Sequence, residues 1–419
     1  MTRDARPTLL IVSQTFLPDP ASVGQHMADV AIEMARRGHR VRVYAANRGY
    51  ENTSLKYLSR ENIQGVDVRR LPLSSFGKKR ILTRLVGTVI FMAQAFLVAL
   101  FTPNLEGIFF STSPPLIGIV LCIAAIIRRV PVAYWAMDLN PDQLIAMGKI
   151  KSTSLAAKVL ESVNRFILRR SALVIALDRF MADRLRPRAN LDGKLLVMPP
   201  WPHEENLEAA ATDAPNPFRE KHGLTGKFVI MYSGNHSAAN PLDTLMQATL
   251  AFKDDADLKF LFVGGGTDKK KVEKFVADHQ LPNVICLPYQ PLADLKYSLP
   301  AADVHVVSLG QEMVGIVHPC KIYGAMAVGR PVLFLGPEPS HVADILQQHD
   351  IGWHIAHGDV DGAVQAIRTL KTTPREELVA KGNRAQSLLT EQLSQNKLQK
   401  ILCDRLEAVL GPKLSKGST

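Results

Sequence analysis

Cysteine is scarce in this sequence of 419 residues: four are present, at positions 122, 286, 320 and 403. No two of them form a CxxC pair, and none stands at a spacing from histidine that is typical of zinc ligands. Scattered cysteines argue against a disulfide-rich secreted domain and against a structural zinc site. They indicate a reducing compartment.

The N-terminus lacks the pattern of a secretory signal peptide. The first apolar run, Leu9 to Val12, is only as long as a strand. We therefore expect a cytoplasmic protein. The GxGxxG spacing of dinucleotide-binding loops is also missing from the triple glycine at 264–266, so the sequence gives weak support to a dinucleotide site.

Acidic residues are too few in the first half to balance its basic ones. Residues 1–210 hold 28 Lys and Arg against 17 Asp and Glu, whereas residues 211–419 hold 22 of each. The formal net charge of +11 therefore belongs to the first half. Such asymmetry indicates an anionic partner for that half: a membrane surface, an acidic substrate or nucleic acid. Nucleic acid ranks last, because the arginines are scattered and match no recognised motif.

The remaining pattern alternates short apolar runs with helical periods. A strand over 8–13, a loop over 14–24, a helix over 25–37 and a strand over 40–45 form one βαβ unit, which implies a parallel sheet. The alternation resumes after a segment rich in proline, alanine and acidic residues. We predict an N-terminal Rossmann-like domain over 1–200, a linker over 201–217, a second such domain over 218–395, and a C-terminal helix and tail over 396–419 that return to the first domain.

Two long apolar runs stand in the first half. Residues 85–101 contain no charge and follow Lys78, Lys79, Arg80 and Arg84. A basic cluster beside an apolar helix favours docking on anionic lipid over 78–101, ahead of a buried core helix and of a membrane-spanning one. Residues 116–127 are also apolar throughout, and there we predict a buried crossover helix.

In parallel sheets, ligands bind beyond the carboxyl ends of strands, and three loops of the first half qualify. Gly24 and Gln25 open a helix whose amides can meet an anion, or they simply end a loop. Ser113 stands at a second junction of this kind, where the amides can again bind an anion. Capping of the following helix by Ser113 explains the residue equally well. Asp138 and Asp142 follow an apolar strand. Asp138 is suited to act as a base or to hold a sugar hydroxyl, although a turn or helix cap is the favoured explanation when this loop is taken alone.

The second half offers two further loops. Gly234, Asn235 and His236 follow a strand and precede a helix, where glycine lets the backbone approach a phosphate. The segment 312–331 leads into a helix with Lys321 in its first turn. A positive charge there opposes the helix dipole unless an anion binds nearby, and a solvent-facing lysine is the alternative.

These segments resemble the retaining GT-B glycosyltransferases of family 4, along nearly the whole chain. The likeness is strongest to the bacterial branch that builds O-antigen and exopolysaccharide units, including transferases of N-acetylfucosamine. The segments that carry it are FLPDPASVGQHMADVAIEMARRGHRVRVYAA, STSPPLIGIVL, WAMDLNPD, SGNHSAANPLDTLMQA and HPCKIYGAMAVGRPVL. They resemble the family's first strand and glycine loop, its SPPL and DLWPD signatures, the start of its nucleotide-binding domain, and its PSKxYExxAxGxPV segment.

The resemblance implies a donor bound by the second domain, an acceptor bound by the first, and reaction in the cleft, with no metal or other cofactor. The diphosphate would meet Lys321 and backbone amides, the loop 287–290 would flank the base, and Asp138 would be the catalytic group. The predicted donor-binding residues are Gly234, Asn235, His236, Tyr289, Glu312, Gly315, Ile316, Val317, Pro319, Lys321 and Tyr323. The predicted acceptor-binding residues are Gly24, Gln25, Ser113 and Asp142.

The sequence departs from the family in two places. Gly324 stands where the family carries a glutamate for the donor ribose, with Glu312 as a more distant acid. Asn235 and His236 replace a basic residue. We favour altered donor contacts over lost activity.

The sequence thus predicts transfer of a sugar from a nucleotide diphosphate, UDP in first place, to a polyprenyl-diphosphate-linked saccharide at the inner face of the plasma membrane. The alternatives are a UDP-sugar 2-epimerase and a non-catalytic scaffold of a polysaccharide assembly complex.

Overall fold

The structure, a computed structural model, describes residues 7–19, 21–49, 54–72, 81–203 and 215–410, with the backbone alone at 81–85 and 292. The chain forms two compact units, one of residues 1–200 with 396–419 and one of residues 201–395. Most of the predicted linker, the basic residues at 78–80 and the tail beyond 410 lie outside the described residues.

The first unit is built on a mainly parallel sheet. Its strands are β1 (Thr8–Val12), β2 (Arg40–Ala46), β3 (Arg60–Ile63), β4 (Val66–Leu71), β5 (Leu105–Ser111), β6 (Val132–Ala136), β7 (Leu173–Ala176) and β8 (Leu195–Val197). Its first six helices are α1 (Ser22–Arg36), α2 (Ile81–Phe101), α3 (Ile117–Arg128), α4 (Asp142–Ala146), α5 (Leu155–Arg170) and α6 (Arg179–Leu185). The strand order is β3-β4-β2-β1-β5-β6-β7-β8, and among these only β3 runs antiparallel to its neighbour.

The strands at the centre of this sheet are apolar and fully buried, as expected where helices cover both faces of a sheet. The β3–β4 hairpin was not predicted. Its strands are short and rich in charge, and its turn at Gln64 and Gly65 has positive φ values without an Asn-Gly or Asp-Gly signal.

Helices α2 and α3 each bury one face and expose the other. Every fourth residue of α2 is buried at Phe91, Ala95 and Ala99, while α3 buries Leu121 and Cys122. The predicted crossover helix over 116–127 is confirmed, since α3 joins β5 to β6, but only one side of it is buried, because an apolar sequence alone does not show which side of a helix meets water. No helix in the described part of the chain is both long and apolar enough to cross a membrane.

Helix α2 packs on α3, α3 packs on α5, and all three helices leave apolar side chains exposed. We call these exposed side chains together the three-helix apolar face. Its exposed side chains are Val86, Val89, Leu97, Phe101, Ile123, Ile126, Ile127, Leu155 and Val159.

The second unit holds a fully parallel sheet. Its strands are β9 (Phe228–Ser233), β10 (Leu258–Val263), β11 (Val284–Leu287), β12 (Val304–Ser308), β13 (Val332–Leu335) and β14 (Gly352–Ile355), in the order β11-β10-β9-β12-β13-β14. Its helices are α7 (Pro217–Lys221), α8 (Asp243–Thr249), α9 (Lys269–His279), α10 (Leu295–Ser298), α11 (Lys321–Ala327), α12 (His341–His349), α13 (Val360–Thr372) and α14 (Arg375–Gln392). Two parallel-sheet α/β domains confirm the predicted fold class.

The last described helix, α15 (Gln395–Leu410), packs on the first unit. Arg37, at the end of α1, donates to the carboxylates of Asp404 at 2.7 Å and Glu407 at 3.0 Å. His39 lies 2.7 Å from Glu407. These polar contacts and the packing of Leu410 against Gly107 hold the C-terminal half of α15 on the first unit.

Candidate functional site

The loop after β9 folds tightly against the loop after β10. Gly234, with φ of 145°, donates its amide to the carbonyl of Val263 at 2.9 Å. A Cβ atom on Gly264 would overlap the carbonyl oxygen of Gly234, and one on Gly266 would overlap that of His236. The triple glycine therefore serves close packing of two loops, which replaces the expectation that it approaches a ligand.

The buried ring of His236 contacts the backbone of both loops. It is 1% exposed, and its Nδ1 lies 3.1 Å from the carbonyl oxygen of Gly234 and 3.3 Å from that of Gly265. Burial, aided by the charge of Lys269, lowers the pKa of His236 to about 4, so the ring is neutral. The predicted donor contact at His236 is thus corrected to a positioning role, because a buried neutral ring cannot replace a basic side chain.

Lys321 lies at the start of α11 with its side chain across the loop after β9. Its Nζ donates to Oδ1 of Asn240 at 3.2 Å and lies 5.6 Å from the ring centroid of Tyr232. Within the described residues it has no carboxylate partner. Burial lowers the pKa of Lys321 to about 8, so the amine is still largely charged at neutral pH. The site therefore contains a half-buried cation that no carboxylate of the described residues neutralises.

The segment before α11 supplies fewer free amides than predicted. Ile316 and Val317 both donate their backbone N–H to the carbonyl of Met313, at 3.0 and 3.2 Å. This corrects the expectation that these two amides bind a diphosphate. The amides of Gly315 and Asn235 have no acceptor among the described residues, so those two remain candidates. Gly234 uses its own amide in the loop.

Glu312 and Pro319 differ in exposure. Glu312 lies in a short 3-10 turn with its side chain exposed, and Pro319 is buried just before α11. Gly324 occupies an open position, since a Cβ atom there would meet only Leu299, at 3.9 Å. Nothing in the packing demands glycine where the family carries an acid.

Tyr323 is buried, and its hydroxyl lies between two histidines. The hydroxyl oxygen is 2.7 Å from Nε2 of His318 and 3.2 Å from Nε2 of His341. A hydroxyl that already has two partners and is 1% exposed is not available to a ligand. The prediction of a direct donor contact at Tyr323 is corrected: the residue positions the start of α11.

Tyr289 stands exposed after β11. Its ring lies against Gly265, where a Cβ atom would be 2.9 Å from Cε2 of the ring. Its predicted role beside the base of the nucleotide remains a prediction.

In the first unit, Asp138 lies beyond the carboxyl end of β6 in a narrow pocket of about 30 Å³. Ser111 and Asn164 line the same pocket, and Asn164 donates to the carbonyl of Asn140 at 3.3 Å. Burial raises the pKa of Asp138 to about 6. Among the described residues no donor binds its carboxylate. A half-buried acid with a raised pKa is suited to proton transfer near neutral pH.

The predicted acceptor-binding residues divide into two groups. Gly24 lies in the first turn of α1, where a Cβ atom would be 2.9 Å from the backbone of Thr15. The carbonyl of Ser113 accepts from the amide of Gln14 at 2.9 Å, so both loops meet at the carboxyl ends of β1 and β5. Gln25, which follows Gly24 in α1, is half-buried. Ser113 does not cap α3, which begins at Ile117.

Asp142 lies apart from these loops in an ion pair. Its Oδ1 accepts from Arg188 at 2.6 Å, and Arg184 lies 3.6 Å away. The structure therefore gives Asp142 a structural partner, and the predicted acceptor contact is corrected to an anchor for α4.

Sequence reasoning missed Asn240, His318, His341 and Asn164. They had no recognisable signal, because each acts through a partner that is distant in sequence or on another element. No group of three or more His, Cys, Asp or Glu in the described residues is arranged to hold a metal. The absence of a metal requirement stays a prediction.

Two family profiles match the chain. The profile described as "Glycosyl transferase 4-like domain" matches residues 22–201, and that described as "Glycosyl transferases group 1" matches residues 216–387. Together they cover most of the chain.

Two curated proteins are similar along most of their length. Probable glycosyltransferase WbjE of Pseudomonas aeruginosa is 25% identical over 345 residues, which are 81% of this chain and 83% of that protein. WcaI of Escherichia coli K12, named as a colanic acid biosynthesis glycosyl transferase, is 22% identical over 89% of this chain and 94% of its own.

Solved structures share the fold. Sucrose-phosphate synthase of Thermosynechococcus elongatus superimposes with a TM-score of 0.72 at 15% identity, covering 95% of this chain and 98% of that one. Anabaena Alr3699/HepE, solved in complex with UDP-glucose, has a TM-score of 0.70 at 16% identity, covering 96% and 99%. The chain therefore belongs to the glycosyltransferases of the GT-B type, with a glycosyl transferase 4-like domain followed by a group 1 glycosyl transferase domain.

Proposed function

We propose that this glycosyltransferase moves a sugar from a UDP-sugar to a polyprenyl-diphosphate-linked saccharide, with retention of configuration, in the synthesis of a cell-surface polysaccharide. The reaction takes place at the inner face of the plasma membrane, where the enzyme is peripherally bound. The observation that carries the proposal is the charged amine of Lys321, which lies half-buried without a counter-ion in the described part of the chain.

The donor side of the proposal follows from that charge. A half-buried cation without a carboxylate destabilises the protein unless a ligand supplies the missing negative charge. A diphosphate does so, and the amides of Gly315 and Asn235 add two donors without internal partners. Glu312, an exposed acid three residues before Gly315, accepts a hydrogen bond from the donor sugar in this proposal. UDP is favoured as the nucleotide because HepE, which shares the fold, was solved with UDP-glucose.

The chemical side of the proposal concerns Asp138. Its raised pKa lets it hold a proton at mildly acidic pH and release it near neutrality. In the proposed reaction it accepts the proton of the acceptor hydroxyl or hydrogen-bonds a sugar hydroxyl, while Ser111 and Asn164 shape its pocket.

The membrane side of the proposal concerns the three-helix apolar face. Many exposed apolar side chains on neighbouring helices are typical of an interaction surface. The helices α2, α3 and α5 carry one acidic residue, Glu161, and six basic ones: Arg84, Arg128, Lys158, Arg165, Arg169 and Arg170. Apolar side chains among basic ones favour an anionic bilayer as the partner.

The relatives favour transfer over the alternatives. WbjE and WcaI are both named as glycosyltransferases, which supports neither epimerisation nor a scaffold role. WcaI is named for colanic acid biosynthesis, which supports a polysaccharide product.

The test is a transfer assay in vesicles of phosphatidylglycerol that contain undecaprenyl-diphosphate-linked N-acetylglucosamine, with a panel of UDP-sugars. We expect at least one UDP-sugar to give acceptor-dependent release of UDP and a glycosylated lipid, and Lys321→Ala to abolish it. UDP release at the same rate without the acceptor, or a failure of the protein to bind UDP, would contradict the proposal.

A further inference from the structure

An apolar groove runs along the outside of the first unit between α3 and α5. It has a volume of about 450 Å³ and is open to solvent. Its apolar walls come from Ile119 of α3 and from Leu155, Val159, Val163 and Phe166 of α5. It opens on the three-helix apolar face, since Leu155 and Val159 belong to both.

The groove adjoins the pocket of Asp138. Val163 lines both the groove and that pocket, and Gly118, which follows Ile117 in α3, lines the pocket beside Ile119 in the groove. A Cβ atom on Gly118 would be 2.7 Å from Cε2 of the Phe110 ring, so α3 lies close to β5 at this point. A molecule in the groove is therefore one side chain away from the pocket of Asp138.

One cation stands in this wall, where the other polar side chain, that of Ser162, donates its hydroxyl to the carbonyl of Lys158 at 2.9 Å. Lys158 lines the groove, is exposed, and has no ion-pair partner among the described residues. The nearby acid of α5, Glu161, is instead paired with Arg165 at 2.9 Å and with Arg188 at 3.6 Å. An apolar channel with one unneutralised ammonium is complementary to a hydrocarbon chain that ends in a phosphate.

We propose that this groove holds the phosphate-proximal isoprene units of the lipid-linked acceptor, with Lys158 on the phosphate. The inference rests on the proposed function, since it names the site that presents the acceptor to Asp138. The bound chain enters from the bilayer through the three-helix apolar face and leaves its sugar at the carboxyl ends of β5 and β6.

The test is calorimetric binding of farnesyl phosphate, below its critical micelle concentration, with inorganic phosphate as the reference ligand. Variants Lys158→Glu and Val159→Glu place a carboxylate in the groove at exposed positions, so the fold is retained. The matched control is Val89→Glu, an exposed valine of α2 on the same face but outside the groove.

We expect farnesyl phosphate to bind wild type at least tenfold more tightly than inorganic phosphate. Both groove variants should weaken it at least tenfold, and Val89→Glu by less than twofold. An equal loss of farnesyl phosphate affinity in Val89→Glu, or equal affinity of wild type for farnesyl phosphate and inorganic phosphate, overturns the proposal.

UDP binding by the same variants distinguishes failure of the groove assignment from failure of the proposed function. If UDP binding and acceptor-dependent transfer persist while farnesyl phosphate does not bind, the groove assignment alone fails. If farnesyl phosphate binds but no UDP-sugar is used, the proposed function alone fails.

Discussion

The side chain of Lys321 lies directly on the α-carbon of Gly234. A Cβ atom at position 234 would overlap Cε of Lys321 and lie 3.0 Å from its Cδ. Gly234 also has φ of 145°, a conformation that other residues rarely adopt. Glycine at position 234 therefore leaves room for the lysine that crosses it, and a larger residue would displace the end of that side chain.

Gly234→Ala should reduce UDP affinity at least tenfold, because the methyl group displaces the amine of Lys321 from Asn240. Calorimetry measures the effect. Gly358→Ala is the control for backbone strain, since Gly358 has φ of 85° and no atom within 4 Å of its Cβ position. If both variants bind UDP equally well, the packing of Gly234 on Lys321 has no part in donor binding.

UDP affinity should fall as the pH rises above about 8. The folded-state pKa of Lys321 is lowered to about 8, so the free site loses its positive charge above that pH, while a bound diphosphate favours the charged form. The dissociation constant should rise by roughly tenfold per pH unit once the amine is deprotonated. Calorimetry between pH 7 and pH 9 tests this, with Lys321→Ala as a flat baseline. If the UDP dissociation constants of wild type and Lys321→Ala change in parallel with pH, Lys321 is excluded as the titrating group.

Asp138→Asn should abolish transfer and stabilise the protein. Burial raises the pKa of Asp138 in the folded state to about 6, above its unfolded value, so the ionised carboxylate destabilises the fold as the pH rises through this range. Removing that charge should add about 2 kcal/mol to the free energy of unfolding at pH 7, from 1.36 kcal/mol per pKa unit with allowance for partial exposure. Thermal melts at pH 7 and pH 4 measure it, and the gain should vanish at pH 4.

The same residue predicts the acid side of the rate profile. If Asp138 acts as a base, kcat should decline below about pH 6. A rate that stays constant down to pH 5 contradicts the proposed role.

Vesicle binding should depend on α3 as well as on α2. Ile127→Glu and Phe101→Glu each place a charge on the three-helix apolar face and should reduce flotation with phosphatidylglycerol vesicles several-fold, because a buried carboxylate opposes insertion. Leu58→Glu is the matched control, since Leu58 is 70% exposed and lies outside that face. Vesicles of phosphatidylcholine should bind wild type weakly. A change from dimer to monomer in Ile127→Glu, with flotation unchanged, would instead identify the face as an interface between two copies.

Gly324→Ala should stabilise the protein by about 1 kcal/mol, because glycine inside a helix is unfavourable by that amount and the position has room for a methyl group. Chemical denaturation measures the free energy of unfolding, and the UDP affinity of Gly324→Ala should stay within twofold of wild type.

Gly324→Glu restores the acid that the family carries, and we expect this variant to bind UDP more tightly than wild type. Destabilisation by alanine would show that the site is more crowded than the contact at Leu299 indicates.

The sequence was sufficient for the fold class because strands such as β1 and β9 are short apolar runs between helical periods, a pattern that depends only on local residues. It was insufficient for α3, because a helix that is apolar all round does not reveal which side faces water. The donor site shows the same limit. Lys321 was predicted from its place in a first helical turn, whereas Asn240, 81 residues away, became visible only through their hydrogen bond.

Predictions failed most where a group had a partner inside the protein. The amides of Ile316 and Val317, the ring of His236 and the carboxylate of Asp142 are all types of group that bind ligands. Each already has a hydrogen-bond partner inside the protein, which is close in sequence for Ile316, Val317 and His236 and distant for Asp142, whose partner is Arg188. Motif position predicts the loop, but the competing internal partner decides whether the group is available.

The most direct test is calorimetric titration of UDP into the wild-type protein and into Lys321→Ala. We predict saturable binding by wild type and a loss of at least a hundredfold in the variant, because the diphosphate loses its nearest cation. Equal affinity for UDP in the two proteins, or no binding by wild type, would contradict the assignment of Lys321 as the residue that holds the donor.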